Sequence, residues 1–144
     1  MTPFVLDERL ARDSLPLGES NLSLLRLVDN ALVPWLILVP KVDCRELYEL
    51  GPDDQTRLLA QIHALSRFLT AEFAPDKLNV AAIGNLVPQL HIHLVARRRD
   101  DFCWPGVVWG RPERQPYTPA EVERLRALVA ARLSPSFTAY CPDV

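Results

Sequence analysis

Prolines set the joints of this chain. Thirteen are spread over its 144 residues. Each locks φ and removes a backbone donor, so helices and strands must start and stop where prolines permit. Pro40 closes Trp35-Leu36-Ile37-Leu38-Val39, an apolar run that reads as a strand buried on both faces. Leu22 to Val28 reads as its hairpin partner across a turn at Asp29-Asn30, and residues 16–21 read as a loop. Gly51-Pro52-Asp53-Asp54 is a helix start, with proline in the first turn and carboxylates at the positive end of the helix dipole. Leu58, Ile62, Leu65, Leu69 and Phe73 then recur every three or four residues until Pro75, giving a long helix with Arg57, Gln61, Arg67 and Glu72 facing outward. Lys77 to Ile83 reads as a third strand, Gly84-Asn85 as a turn, and Gln89 to Arg97 as a fourth strand with strict alternation. A stretch rich in Trp, Pro and Gly runs from Phe102 to Gln115. Thr118-Pro119-Ala120-Glu121 is a capping box that opens a second helix carrying Val122, Leu125, Leu128, Val129 and Leu133, and residues 134–144 read as an irregular tail.

The length suits a single domain over 1–144, and 49% hydrophobic with 24% charged residues supports a packed core rather than disorder. A net charge of −2 gives no broad basic surface, so specific nucleic-acid binding is not expected and any nucleotide ligand should be small. Cys44, Cys103 and Cys141 lie far apart with no CxxC spacing, which argues against a disulfide framework or a structural zinc site and for a reducing, cytoplasmic setting. The N-terminus lacks the basic-then-apolar pattern of a secretion signal, and no apolar run reaches membrane-spanning length.

The chemistry concentrates in Gln89-Leu90-His91-Ile92-His93-Leu94-Val95. Strand periodicity puts Gln89, His91 and His93 on one face, expected to be wet, and Leu90, Ile92 and Leu94 on the other, expected to be core. Same-face neighbours lie about 6.6 Å apart, so two imidazoles and an amide can line one groove and meet different oxygens of a phosphate. A neutral imidazole supplies a nucleophilic nitrogen at cellular pH, and a neighbour can donate. Turn N–H groups near Gly84-Asn85 could cradle the non-bridging oxygens. Two readings compete with catalysis: a half-buried strand that happens to carry histidines, and a metal pair awaiting a third ligand. The remaining histidine, His63, falls in the long helix and reads as structural.

The segment resembles the signature of the histidine-triad (HIT) superfamily, His-φ-His-φ-His-φ-φ with φ apolar, and follows it except that Gln89 replaces the first histidine. The hairpin ending in Leu38-Val39-Pro40-Lys41, the long helix and the strand containing Asn79 come in the family's order, so the resemblance covers roughly residues 20 to 100. It implies an α+β HIT-like fold, a mostly antiparallel five-stranded sheet with two helices, and a homodimer. It also implies a purine nucleotide or related phosphate ester as substrate, with no cofactor or metal required. By resemblance the middle histidine, His91, is the nucleophile that forms a nucleotidyl-histidine, and its second ring nitrogen bonds to a motif carbonyl. His93 contacts the phosphate and leaving group, and Gln89 is an orienting donor. Asp29 resembles an acidic residue that binds ribose hydroxyls, although a plain turn aspartate fits as well. Asn85 would present an amide to phosphate, or simply complete a turn. Trp104 and Trp109 could form a stacking wall or a dimer contact, with loop or core packing favoured. Arg97-Arg98-Arg99, followed at once by Asp100-Asp101, reads as a solvated charge cluster.

The leading expectation is therefore a nucleotide hydrolase or nucleotidyl transferase acting on a phosphoramidate, mixed anhydride or dinucleoside polyphosphate. The rivals are a nucleotide-binding or scaffolding dimer that lost efficient chemistry with the histidine at position 89, and a metal-dependent hydrolase using His91 and His93.

Overall fold

The computed structural model describes residues 3–142, so Met1, Thr2 and the last two residues of the expected tail lie outside the described residues. In chain order the elements are α1 (Glu8–Asp13), β1 (Ser14–Glu19), β2 (Ser23–Val28), β3 (Trp35–Pro40), a 3-10 turn (Leu47–Glu49), α2 (Pro52–Phe73), β4 (Lys77–Ala81), β5 (Ile92–Arg97), α3 (Pro119–Arg132) and β6 (Thr138–Ala139). The strands form one antiparallel sheet in the order β4-β5-β3-β2-β1-β6.

The α+β architecture is as expected, with six strands instead of five and three helices instead of two. The additional elements have physical causes. Ser14–Glu19, taken partly as loop from its Pro16 and Gly18, pairs along β2 through a bulge between those two residues, which absorbs the proline's missing donor at an irregularity. The C-terminal segment is not wholly irregular, because Thr138 and Ala139 add a short edge strand to β1. The helix α1 is too short to show a periodicity, and is started by Asp7, whose carboxylate accepts the Arg9 N–H.

Helix α2 begins and ends where its signals put it: Gly51 caps it with Pro52 in the first turn, and Ala74 leaves the helix in a left-handed conformation just before Pro75. Its buried face, Leu58, Leu65, Phe68 and Leu69, packs on β5 and the central sheet. Each such leucine, fully buried, contributes about 1.5–3 kcal/mol relative to exposure. Gln61 is not a free surface residue: its amide oxygen accepts from the Ser23 hydroxyl and its amide nitrogen donates to the Ser20 hydroxyl, which fixes the loop between β1 and β2. Helix α3, with its Thr118–Glu121 capping box, packs on β1 and β6 at the other end of the same face.

Candidate functional site

Strand β5, which carries the motif, starts later than the alternation suggests, at Ile92, and residues 89–91 approach it as irregular chain. Its register on β3 sets Ile37 opposite His93 and Trp35 opposite Val95, so Trp35, Ile37, His93 and Val95 share one face. That face is not wet: His91 is 6% exposed, His93 7% and Arg97 2%. The chain after β5 folds back over it, bringing Val108 and Trp109 onto Trp35 and Val95, while Leu10 of α1 packs on Ile37 and Val39.

The cover is fastened by Arg97, which is no member of a solvated cluster. Its guanidinium makes two bonds to the Asp101 carboxylate, at 2.7 and 3.1 Å, and donates to Asn79 Oδ1 and the Gly106 carbonyl. Asp101 also accepts the N–H groups of Arg98 and Cys103. Burial works to raise its carboxyl pKa, but these donors outweigh it and hold the group below the usual carboxylate range. Arg98 and Asp100, by contrast, form an exposed pair. A turn from Val108 to Arg111, with Gly110 at φ 82° where only glycine sits without strain, then presents Trp109.

Beneath this cover lies a cavity of about 540 Å³, within the range of small-ligand sites. His91, His93, Trp35 and Trp109 line it together, Ile37, Val28 and Val108 supply apolar surface, and Arg9, Asn85 and Arg111 stand among its polar lining. The His91 and His93 ring centroids are 4.8 Å apart, and Trp109 meets His93 edge-on at 5.4 Å. The Trp109 indole N–H is buried without a hydrogen-bond partner among the described residues.

The two histidines are held in opposite tautomers by their partners. His91 Nδ1 lies 2.7 Å from the Gln89 carbonyl. A carbonyl only accepts, so Nδ1 carries the proton and Nε2 keeps a lone pair. His93 Nδ1 lies 3.0 Å from the indole Nε1 of Trp35, which only donates, so this Nδ1 is the acceptor and Nε2 carries the proton. Burial, and secondarily the neighbouring His91, push the His93 pKa down from 6.5 to about 3. One ring thus offers a lone pair and its neighbour an N–H donor, a combination able to attack and steady a phosphorus centre.

Of the residues singled out from the sequence, His91, His93, Asn85 and Trp109 line the cavity and Gln89, Asp29 and Trp104 do not. Strand alternation puts Gln89 beside the histidines, but the strand begins only at Ile92. Its side-chain oxygen instead accepts the Asp7 N–H and its nitrogen donates to the Val5 carbonyl, both at 2.9 Å, so it clips the N-terminal segment beside the motif. Arg9, two residues on, pairs with Asp7 and donates to the Leu86 carbonyl, tying α1 to the loop before the motif. The Asp29 carboxylate accepts from Arg114 and from the Tyr117 N–H, each at 2.9 Å, and anchors the returning chain. Its neighbour Asn30 lines the cavity instead. Trp104 lies against the Arg97 guanidinium, away from the histidines. The sequence reading missed Trp35, Arg9 and Asn30. Nothing local marks them: Trp35 looks like the first residue of any apolar strand, and only the β3–β5 register brings it to His93. Among the described residues no group of three or more His, Cys, Asp or Glu is placed to hold a metal ion.

Comparison with known proteins places this fold. A family model described as HIT domain matches residues 10–100. Among solved structures, a histidine triad protein from Marinobacter aquaeolei VT8 is 44% identical, with 94% of this chain and 99% of that one covered and a TM-score of 0.89. A histidine triad (HIT) protein from Sinorhizobium meliloti 1021 is 40% identical over 90% of this chain and 96% of that one, with a TM-score of 0.86. One from Bradyrhizobium japonicum is 37% identical over 91% and 98%, with a TM-score of 0.87. No curated protein matches the chain. A family match over more than half of the chain, together with relatives of this identity and coverage, settles the point that the motif raised: the chain belongs to the histidine-triad (HIT) family.

Proposed function

We propose that the protein is a nucleotide hydrolase or nucleotidyl transferase in which His91 Nε2 attacks the α-phosphorus of a purine nucleotide and is transiently nucleotidylated. The observation that carries this reading is the 2.7 Å contact between His91 Nδ1 and the Gln89 carbonyl, which leaves the other nitrogen as the lone-pair atom in a cavity large enough for a nucleotide. Attack makes the ring a cation, and the same carbonyl then accepts a charge-assisted hydrogen bond, so it stabilises the intermediate more than the resting enzyme. His93 contributes its Nε2–H to a phosphoryl or leaving-group oxygen. Asn85, on the loop before the motif, contributes an amide to the phosphate. Gln89 acts through its carbonyl on His91 and through its side chain on the N-terminal segment, so glutamine at this position is compatible with attack. Asp29 reaches ribose hydroxyls only if it gives up Arg114 or Tyr117; otherwise it shapes the site through the chain it anchors. The family resemblance supports a homodimer as the working unit.

The test is intact-protein mass after rapid quenching of the wild type and His91→Ala with three adenylates: an adenosine phosphoramidate, an acyl adenylate and a diadenosine polyphosphate. One nucleotidyl adduct, or steady product release, in wild type and neither in the variant is the expected result. Binding of all three with no adduct and no product would give the protein a binding role in place of an enzymatic one.

A further inference from the structure

His93 is usually the residue one would ask to protonate a departing group, since it neighbours the attacking ring. Its environment forbids that. The Trp35 N–H occupies Nδ1 at 3.0 Å, so a second proton on the ring would face an indole proton at that atom. The ring is 7% exposed, with Trp35 and Trp109 packed against it at centroid distances of 5.8 and 5.4 Å, so the indole rather than solvent faces Nδ1. The other ionisable groups lining the cavity among the described residues are Arg9 and Asp13 from α1, His91 itself, and Arg111. Guanidinium groups do not release protons, and the Asp13 carboxylate is engaged by Arg12.

Resting on the reading that His91 attacks a nucleotide, we propose that Trp35 is a positioning residue that holds His93 as a permanently neutral Nε2–H donor. The site then selects acid anhydrides, nucleotides whose leaving group departs from the α-phosphorus as a stable carboxylate or phosphate anion. The His91 Nε2 lone pair forms the N–P bond, and the P–O bond to the leaving group breaks with its electron pair kept on the departing oxygen. The Nδ1 proton stays on the ring, which is now cationic and bonded to the Gln89 carbonyl. His93 lends a hydrogen bond and keeps its proton. Water then attacks phosphorus and releases a proton to solvent, and the P–N pair returns to Nε2. An amine cannot follow this route: it would leave as an amide anion, or would need a proton that His93 could give only by becoming an imidazolate.

Single-turnover rates of adduct formation for the same three adenylates, in wild type and Trp35→Phe from pH 5 to 8, test this. General acid catalysis is worth about 10²–10⁴-fold, so wild type should process the phosphoramidate at least about 100-fold more slowly than the acyl adenylate. Trp35→Phe frees Nδ1, and the gap should narrow about tenfold or more toward pH 5 as His93 takes up a proton. A wild-type phosphoramidate rate within a few-fold of the acyl adenylate's, or an unchanged gap in a folded Trp35→Phe, overturns the proposal while leaving nucleotidylation of His91 intact. No adduct from any of the three overturns the nucleotide reading, and with it this one. The wild type alone supplies a second check by ¹⁵N NMR of the imidazoles: His93 should keep its Nε2–H signature without titrating between pH 5 and 8, and a titrating His93 refutes the role given to Trp35.

Discussion

Strand β5 separates two materials. On one side Ile92, Leu94 and Ala96 press on the leucines of α2 in an apolar layer that any helix-on-sheet packing could provide. On the other, His93, Val95 and Arg97 are as deeply buried, but under irregular chain, tryptophans and a paired charge. The first layer is stabilised by area and tolerates repacking if volume is kept. The second depends on individual polar partners, each costly to remove and few replaceable. His91 and His93 belong to the second, where directed bonds fix tautomers in a way that apolar contact cannot.

The sharpest way to break the second layer is at Arg97. Arg97→Ala strands a buried Asp101, at a cost of about 3–5 kcal/mol, and frees the 98–110 segment. Urea unfolding should show that loss, and limited proteolysis should show new cleavage within that segment. Leu94→Ala on the helix side should cost about 2–5 kcal/mol by the same urea titration, without localised cleavage. Equal cleavage in both variants would erase the distinction between the faces.

The pH dependence of stability sharpens the contrast further. His93 has its folded pKa lowered to about 3 from 6.5, so below the unfolded value the unfolded chain binds a proton that the folded one refuses. Stability from this group is therefore full above about pH 6.5 and falls as pH drops toward 3, by at most about 1.4 kcal/mol per unit. Asp101, held below its ordinary carboxylate value, adds a loss that begins only as pH falls below about 4. Wild type should lose Tm steadily between pH 6.5 and 4, and His93→Gln should flatten that slope. A slope equal in both proteins would show that His93 is not the group responsible.

Smaller effects belong to the edges. Gln89→Ala removes two neutral hydrogen bonds to the N-terminal segment, each worth about 0.5–1.5 kcal/mol. It should raise KM more than it lowers kcat, because the carbonyl that orients His91 is backbone. A kcat collapse at unchanged KM would move Gln89 into the chemical step. The exposed Arg98–Asp100 pair should matter least, with Arg98→Ala changing stability by no more than about 1 kcal/mol.

Much of the fold was legible locally. The hairpin of β2 and β3, the limits of α2 and the cap of α3 follow from apolar runs, prolines and capping residues, which act within a few positions of themselves. β1 was not legible, since Pro16 and Gly18 argue against a strand until β2 is there to pair around the bulge. Within the site, the two histidines could be named from their motif, but the face they share could not be recognised as buried. Nothing in Gln89-Leu90-His91-Ile92-His93 reports that Trp109, arriving from a proline-rich stretch, will cover it. The same holds for Arg97, whose neighbours in sequence look like a solvated charge run and whose partners in space exclude water.

By itself the sequence determined the class of the fold, the motif and the pair of histidines that marks the site, because periodicity, capping and a two-residue histidine spacing are short-range facts. Tertiary structure alone decided which nitrogen of the His93 ring is protonated, what Gln89 holds with its side chain and what Asp29 anchors. Those outcomes rest on hydrogen bonds between Trp35 and His93, Gln89 and the first residues of the chain, and Asp29 and the returning segment, separated by 58 to 88 positions. A proton's place on an imidazole is set by the partner opposite it, and that partner is chosen by strand register and loop closure, which no local pattern encodes.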